Sequence, residues 1–263
     1  MKNYRSIITF IKREGFLAFF IKLVDYFLIP FGISILTFLK LNDQDFNINP
    51  YIKKSLSNKD IFSKIYRDYY WKSNESISGS GSDLIFLKNY SKNLEKFIKD
   101  FNIKSFFDVP CGDFIFMNEF LKKKNISYKG GDIVQELLEN NKKKYPNYKF
   151  IKFDLITDRT DEYFEAIHVK DCLFHFSLED ANKALKNISQ FNTKYTLITS
   201  HKSLVLKNID IETGKFRYLD LEKHPFELPK PILRLKSYIF KLGSFPKYTC
   251  VWKTRDLKSF FKV

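Results

Sequence analysis

The stretch that most constrains the fold of this chain is 105–113, which reads SFFDVPCGD. A short apolar run ends in an acid, Asp108, and the residues Pro110, Cys111 and Gly112 then break it sharply. Apolar residues at helical spacing follow, so we predict a buried strand, a tight turn and a helix. This is the unit with which a nucleotide-binding α/β fold begins.

A second acid, Asp132, ends the next predicted strand in the segment YKGGD, 20 residues beyond Gly112. In folds of this kind an acid at about that distance from the glycine turn binds ribose hydroxyls. A carboxylate suits this role because it accepts hydrogen bonds from two adjacent hydroxyls without donating any. The spacing of the two residues is the strongest functional signal in the sequence.

The segments after this unit alternate between short apolar strands and amphipathic helices. Strands are predicted at 128–133, 148–153, 166–170 and 195–200, and helices at 60–71, 84–102, 114–124, 135–144 and 178–188. Such alternation predicts a Rossmann-like, mostly parallel seven-stranded sheet with helices on both faces, closed by an antiparallel strand at 248–253. Ligands of such sheets bind beyond the carboxyl ends of the strands. The polar residues predicted there are Asp108, Asp132, Asp154, Asp171 and His201.

The first 45 residues are more apolar than the rest and form a predicted helical extension to a domain spanning 46–263. Their apolar segment is interrupted by Lys22, Asp25 and Pro30, which argues against a membrane-spanning helix. Basic residues give the segment one polar side, as in helices that lie in the membrane interface. Three interpretations stay open: an interfacial helix, a helical lid packed on the domain, and a true span.

A loop rich in serine and glycine, SNESISGSGS at 73–82, lies in the segment 60–104, which we expect to cover the ligand. Its exposed backbone N–H groups suit an anionic or zwitterionic ligand group. Its composition is equally typical of a flexible linker.

Composition limits the classes of partner. The formal charge is +15, but the lysines are dispersed and no dense basic block marks a nucleic-acid footprint. Solvated lysine faces explain most of this charge, and attraction to an anionic membrane surface or an anionic substrate is the alternative. The three cysteines are far apart, so neither a zinc site nor a disulfide framework is predicted. Without a recognisable signal peptide, we expect a cytoplasmic protein, peripheral on the inner face of the membrane if its N-terminal segment binds lipid.

Four segments in order, FDVPCGD, YKGGDI, FDLIT and VKDCLFHFS, resemble the motifs of class I S-adenosylmethionine-dependent methyltransferases. The likeness is greatest to bacterial members associated with surface-polysaccharide modification, whose upstream stretch resembles IYRDYYWKSNESISGSGS. The resemblance covers roughly residues 60–255, taking the alternating pattern as its frame. The chain departs from the three-glycine turn of the wider superfamily, because Pro110 and Phe114 take the outer positions and Gly112 alone remains.

The resemblance implies S-adenosylmethionine as cofactor and S-adenosylhomocysteine as product. Asp132 would accept hydrogen bonds from the ribose hydroxyls, Ile133 would cover one face of adenine, and Asp154 would meet the adenine amino group. Phe153 or Leu155 would pack on the ring. The other positions assigned to the cofactor are Trp71, Gly79, Gly81, Ser82, Asp108, Cys111, Gly112, Asp113 and Lys170.

The resemblance also places the acceptor side after the fourth strand, where Asp171 and His175 lie. His175 has the ordinary pKa of a general base for a hydroxyl, and His201 is a second candidate; a histidine that only orients the next helix is the alternative. Segment 202–245 is expected to form a hairpin lid with a strand at 216–221, in which Arg217 and Tyr218 would contact the acceptor, unless the hairpin is purely structural. No metal ligand set is predicted.

These expectations combine into methyl transfer to a hydroxyl or related group of a sugar, a sugar nucleotide or a phosphate-bearing surface-polysaccharide precursor. Two alternatives stay open: a nucleic-acid methyltransferase, and a membrane-associated scaffold that keeps the fold without turnover. The missing basic stripe argues against the first, and the pairing of Asp132 with Gly112 argues against the second. The sequence predicts neither the methylated atom nor the oligomeric state.

Overall fold

Seven strands form one sheet in the order β3-β2-β1-β4-β5-β7-β6 in the computed structural model. The model describes residues 56–204, 206–237 and 245–263, together with the helical residues Phe20, Leu23, Val24, Phe27 and Leu28. All strands run parallel except β7, which is antiparallel to both of its neighbours. The strands are β1 Ser105–Asp108, β2 Ser127–Asp132, β3 Lys149–Lys152, β4 Phe164–Val169, β5 Thr193–His201, β6 Leu233–Lys236 and β7 Lys247–Lys253. The predicted fold class is confirmed.

Helices cover both faces of this sheet. They are α1 Asn58–Arg67, α2 Leu84–Asp100, α3 Ile115–Leu121, α4 Gln135–Lys144, α5 Leu178–Ile188 and α6 Thr254–Phe261. Serine side chains start α1 and α5: Ser57 accepts a hydrogen bond from the Asp60 N–H, and Ser177 accepts one from the Asp180 N–H. All but the last helix overlap helices predicted from apolar spacing. The C-terminal α6 was not anticipated.

Alternation along β1 shows how the sheet builds two cores. Phe106 packs on one face among residues of α2, α3 and α4, whereas Phe107 packs on the other among residues of α5 and α6. Asp108 follows on the same face as Phe106, because side chains alternate along a strand. Both phenylalanines are almost fully buried. Each contributes roughly 1.5–3 kcal/mol by leaving water, so the sheet is fixed from both sides and its carboxyl edge is held rigidly.

The predicted strand at 216–221 is wrong. This segment runs without regular strand pairing, and the predicted hairpin at 210–214 is only a turn around Gly214. Beyond Ile198, where the pairing with β4 ends, the segment meets β5 through one backbone hydrogen bond, from the His201 N–H to the Leu219 carbonyl. The N–H groups of Leu219 and Leu221 donate instead to the side chains of His201 and Ser200, so no strand ladder forms. The sixth strand is instead Leu233–Lys236, which pairs with β7 at the outside of the sheet.

The predicted extension at 1–45 lies almost entirely outside the described residues. The residues described there are helical, and Phe20 and Phe27 expose about half or more of their surface. In the part of the chain that the structure describes, no helix combines the length and the apolar character needed to cross a membrane.

Candidate functional site

A cleft of about 1230 Å³, including its open mouth, lies beyond the carboxyl ends of β1, β2 and β4. This is where a doubly wound sheet places its ligands, because the helices diverge from the strands at that edge. Its walls contain most of the predicted site residues: Trp71, Ser82, Asp108, Cys111, Gly112, Asp113, Asp132, Ile133, Phe153, Asp154, Leu155, Lys170, Asp171 and His175. Aromatic residues of α1, Phe62 and Tyr66, complete the walls.

Asp132 ends β2 as a buried carboxylate with spare acceptor capacity. Its two oxygens accept hydrogen bonds from the backbone N–H groups of Gly112, at 3.2 Å, and Val134, at 3.0 Å. Burial raises the pKa of Asp132 to about 6, although these backbone hydrogen bonds oppose the rise. A carboxylate has about four acceptor positions, so Asp132 keeps acceptor capacity for a hydroxyl group in the cleft beside its backbone hydrogen bonds.

The second polar group along the same wall is Asp154, just beyond β3. One of its oxygens accepts a hydrogen bond from the Ile156 N–H at 2.9 Å. Phe153 and Leu155 on either side are buried and line the cleft with Ile133. An apolar slot that ends in a carboxylate acceptor fits a flat heterocycle with an amino group at its edge.

The glycine turn brings the backbone of 111–113 against the serine loop. Gly112 has a φ of +54°, and a Cβ there would lie 2.6 Å from the Ser78 hydroxyl oxygen. That hydroxyl accepts a hydrogen bond from the Asp113 N–H at 3.0 Å. On the other side, the Asn141 side chain donates to the Gly112 carbonyl at 2.7 Å. Only glycine meets both demands, a left-handed backbone and a close neighbour.

Asp113 fastens the serine loop to this turn. One of its carboxylate oxygens accepts hydrogen bonds from the Ser76 hydroxyl, at 2.7 Å, and the Ile77 N–H, at 2.8 Å. Asp113 therefore lines the cleft, as expected, and also orders the loop that covers it. The expectation that 73–82 folds over the ligand accords with this arrangement better than the flexible-linker interpretation.

Asp171 follows β4 and forms a buried ion cluster. Its carboxylate accepts hydrogen bonds from Lys170 at 2.6 Å and from Lys247 at 2.9 Å. Burial alone would favour the protonated form, but the charges of the two lysines outweigh it and hold the pKa of Asp171 far below its ordinary value. Lys170 also donates to the Gly81 carbonyl at 2.8 Å. Through this bond the ion cluster holds the C-terminal end of the serine loop in place.

The close approach of the serine loop to Asp171 also requires a glycine, at position 81. A Cβ on Gly81 would lie 2.7 Å from an oxygen of Asp171. Gly79 and Gly81 are not among the residues that line the cleft, so these two predicted cofactor positions serve the fold of the loop.

His175 presents one ring nitrogen as an acceptor. Its Nδ1 lies 2.8 Å from the Lys215 carbonyl oxygen, which can only accept, so Nδ1 carries the proton and Nε2 holds the lone pair. Its ring stacks on Trp71 with centroids 4.4 Å apart. Burial lowers the pKa of His175 to about 4, against the hydrogen bond to Lys215, so the ring stays neutral near pH 7.

His201, Arg217 and Tyr218 do not line the cleft. His201 ends β5, and its Nδ1 accepts a hydrogen bond from the Leu219 N–H at 3.2 Å. Its ring packs against Phe174 and edge-on against Tyr218, and burial lowers its pKa to about 3.

Arg217 is buried and donates to the Phe176 carbonyl, and burial lowers its pKa to about 10. The structure thus brings Asp171 and His175 to the cleft, whereas the other predicted acceptor residues, His201, Arg217 and Tyr218, do not line it.

The cysteines behave as packing residues. Burial raises the pKa of the Cys111 and Cys172 thiols well above their ordinary value, so neither is a thiolate near neutral pH. Within the described residues, no group of histidine, cysteine and acidic side chains has the arrangement of a metal site.

Several residues of the site were not predicted from the sequence. Lys247, Ser76 and Ser78 reach it from distant or irregular segments. His168, which lines the cleft, and Tyr90, which does not, belong to a buried hydrogen-bonded row. Two signals were usable: the serine and glycine content of 73–82, which contains Ser76 and Ser78, and the apolar spacing of α1, which brings Phe62 and Tyr66 to the cleft.

Comparison with known proteins gives matches in structure alone. No family model matches the sequence, and no curated protein matches it significantly. The chain is similar in structure to magnesium protoporphyrin IX methyltransferase (ChlM) from Synechocystis PCC 6803, solved with bound SAH. That match has a TM-score of 0.52 and 10% sequence identity, and covers 73% of this chain and 96% of that one.

Two further solved structures match with lower TM-scores. The methyltransferase domain of bacterial CtHen1-C has a TM-score of 0.49 and 15% identity, and covers 63% of this chain and 96% of that one. The N-terminal domain of EvdMO1 with SAH bound has a TM-score of 0.48 and 12% identity, and covers 77% of this chain and 99% of that one. The strand order and the match to ChlM show that this chain has the Rossmann-like fold of class I S-adenosylmethionine-dependent methyltransferases.

Proposed function

We propose that this protein transfers a methyl group from S-adenosylmethionine to a hydroxyl or related group of a small acceptor. The observation that carries the proposal is Asp132, a buried carboxylate at the end of β2 that lines the cleft and accepts backbone hydrogen bonds there. Few ligand groups complement such a carboxylate as well as the adjacent hydroxyls of a ribose.

The remaining walls support the same cofactor. Ile133, Phe153 and Leu155 form the apolar slot for adenine, and Asp154 offers an acceptor for its amino group. When bound, the cofactor supplies an electrophilic methyl carbon: the acceptor oxygen–carbon bond forms while the carbon–sulfur bond breaks and its electron pair stays on sulfur. The protein must then align the acceptor and receive its proton.

His175 is the residue we propose as the proton acceptor. It lines the cleft, its ring is fixed by Trp71 and the Lys215 carbonyl, and its Nε2 keeps the lone pair at neutral pH. Asp171 is a weaker base because two lysines hold it ionised. His201 is disfavoured because its Nδ1 already accepts a backbone hydrogen bond.

We propose a sugar, a sugar nucleotide or a phosphate-bearing precursor of a surface polysaccharide as the acceptor. Two observations support this class: the likeness of the four sequence motifs to methyltransferases of that kind, and the net charge of +15, which attracts anionic molecules. Nucleic acid is a rival acceptor, and a catalytically silent protein with the same fold is a rival of a different class.

Calorimetric titration of S-adenosylhomocysteine tests the cofactor. The wild-type protein should bind it, and Asp132→Ala should weaken binding by about 100-fold, as expected for two lost hydrogen bonds to a charged acceptor. Asp161→Ala, at an exposed acid that does not line the cleft, should bind as the wild type does. No binding by folded wild-type protein would refute the proposal.

Methyl transfer from radiolabelled S-adenosylmethionine to a panel of sugars, sugar nucleotides and RNA tests the acceptor. His175→Ala should lower kcat by about 10²–10⁴-fold, whereas His224→Ala, at an exposed histidine, should leave it unchanged. Methylation of RNA alone would favour the nucleic-acid rival. Cofactor binding without turnover on any acceptor would favour the silent protein.

A further inference from the structure

A row of buried hydrogen bonds starts in the wall of the cleft, which Asp108 and His168 line, and extends to Tyr90 on α2. His168 lies directly opposite Asp108 on neighbouring strands, and its Nδ1 is 2.7 Å from an Asp108 oxygen. The other ring nitrogen of His168 lies 2.6 Å from the hydroxyl of Tyr90 on α2. Tyr128 donates to the second oxygen of Asp108 at 2.8 Å. All four side chains are almost completely buried.

The donor and the acceptor of each of these hydrogen bonds follow from the chemistry of the side chains. The Asp108 carboxylate can only accept, so His168 donates from Nδ1 and, when neutral, accepts at Nε2 from the Tyr90 hydroxyl. Burial raises the pKa of Tyr90 far above its ordinary value, so Tyr90 keeps its proton as a donor. The donors of the row therefore point toward one carboxylate, whose charge they stabilise and whose orientation they fix.

Asp108 has no lysine or arginine partner among the described residues, although it is only 3% exposed and lines the cleft. A buried carboxylate without a cation is costly, so such a group is a natural complement for a positive charge on the ligand. The two hydrogen bonds leave about half of its acceptor positions open.

We infer that His168 and Tyr90 are positioning residues: they hold the Asp108 side chain in the orientation that receives the α-ammonium group of the cofactor. This inference rests on the proposed function and deepens it. It also gives α2 a role beyond packing, because Tyr90 reaches from the covering segment to the floor of the site. The row acts on the amino-acid end of the ligand and not on its nucleoside end, which Asp132 and Asp154 contact.

Two ligands distinguish contacts to the amino-acid end from contacts to the nucleoside end. S-adenosylhomocysteine carries the α-ammonium group, and 5′-methylthioadenosine lacks the amino-acid portion. Calorimetry of Tyr90→Phe should show a three- to tenfold weaker affinity for S-adenosylhomocysteine and an affinity for 5′-methylthioadenosine within twofold of wild type. Tyr195→Phe, which removes a hydroxyl outside the row from a tyrosine beside Phe97, should change neither affinity.

A pair of His168 variants tests the donor to Asp108 independently. His168→Asn keeps a donor near the position of Nδ1, whereas His168→Leu has none. The leucine variant should lose at least tenfold more affinity for S-adenosylhomocysteine than the asparagine variant, with no such difference for 5′-methylthioadenosine.

Equal weakening for both ligands would show a merely structural role, and unchanged affinity in every variant would also overturn the inference. Failure of the wild-type protein to bind either ligand would instead refute the proposed function.

Discussion

Gly112 and Ser78 approach each other so closely that a Cβ on Gly112 would lie 2.6 Å from the Ser78 hydroxyl oxygen. The turn after β1 and the serine loop before α2 thus fit together as one surface, although 33 residues of sequence separate them. Asp113 strengthens this contact through its hydrogen bonds to Ser76 and Ile77. The cleft therefore depends on the loop as much as on the sheet.

Gly112→Ala should damage both stability and ligand binding. An alanine at a φ of +54° costs about 1–2 kcal/mol in backbone strain, and its Cβ would push the loop away from the turn. We expect a lower denaturation midpoint and at least tenfold weaker binding of S-adenosylhomocysteine by calorimetry. Adding Ser78→Gly should restore part of the affinity by removing the clash; unchanged binding by the single variant would contradict the close fit.

Asp113→Asn should loosen the serine loop while leaving the sheet intact. Hydrogen bonds to a charged acceptor contribute about 1.5–3 kcal/mol, so weakening those from Ser76 and Ile77 should raise local opening by about tenfold or more. Hydrogen exchange should show this at the Ile77 amide. The matched variant Asp161→Asn should exchange as the wild type does, and so should amides of β1; faster exchange throughout would indicate global destabilisation instead.

Cofactor binding should tighten as pH rises from 5 through about 6. The pKa of Asp132 is raised to about 6 by burial, so below that pH its carboxylate is increasingly protonated and accepts fewer hydrogen bonds. A ligand that donates to the ionised form must release the proton, and affinity should rise by up to tenfold per pH unit. Above pH 6 the dependence should level off.

Asp132→Asn removes the titrating group and should bind more weakly with little pH dependence across the same range. The folding stability of the ligand-free protein should depend on pH in the opposite direction. A raised carboxyl pKa favours the protonated native state, so Asp132 should contribute stability at low pH that is lost as pH rises through 6. A wild-type affinity that is flat between pH 5 and 7 would count against Asp132 as the ribose acceptor.

Asp171→Asn should be strongly destabilising. It would leave Lys170 and Lys247, whose side chains are 9% and 11% exposed, without the carboxylate between them. Breaking such a buried cluster costs about 3–5 kcal/mol, which chemical denaturation can measure. Asp100→Asn breaks an exposed pair with Lys96 and should cost under about 1 kcal/mol.

The ion cluster of Asp171 should also make the folding stability depend on pH, in a direction that follows from the pKa of Asp171. Because the folded-state pKa of Asp171 is depressed, its contribution is complete above the ordinary carboxyl pKa of about 4 and is lost as pH falls below it. Equal stability of Asp171→Asn and Asp100→Asn would show that the cluster contributes nothing.

The sequence by itself determined the alternation of β1–β5 with α1–α5 and the closing strand β7, but neither β6 nor α6. The apolar run before Asp108, the spacing to Asp132 and the helical spacing of α2, α4 and α5 are local patterns, and the elements that they predicted are present. Local patterns succeed because a side chain's direction depends on its own strand or helix, with a period of two or 3.6 residues. They also placed Asp132, Asp154 and His175 in one cleft, since the carboxyl ends of parallel strands share an edge.

Tertiary structure decided the rest, because it depends on which partners and edges are free. The alternation at 216–221 allowed a strand, but the N–H groups of Leu219 and Leu221 donate to the side chains of His201 and Ser200 and not to the backbone of β5. The pairing of Lys247 with Asp171 joins residues 76 positions apart, and that of Tyr90 with His168 joins residues 78 apart. No local periodicity predicts such contacts. They form only when α2 packs on the sheet and β7 joins it. Burial then removes these polar groups from water, so they must pair with one another.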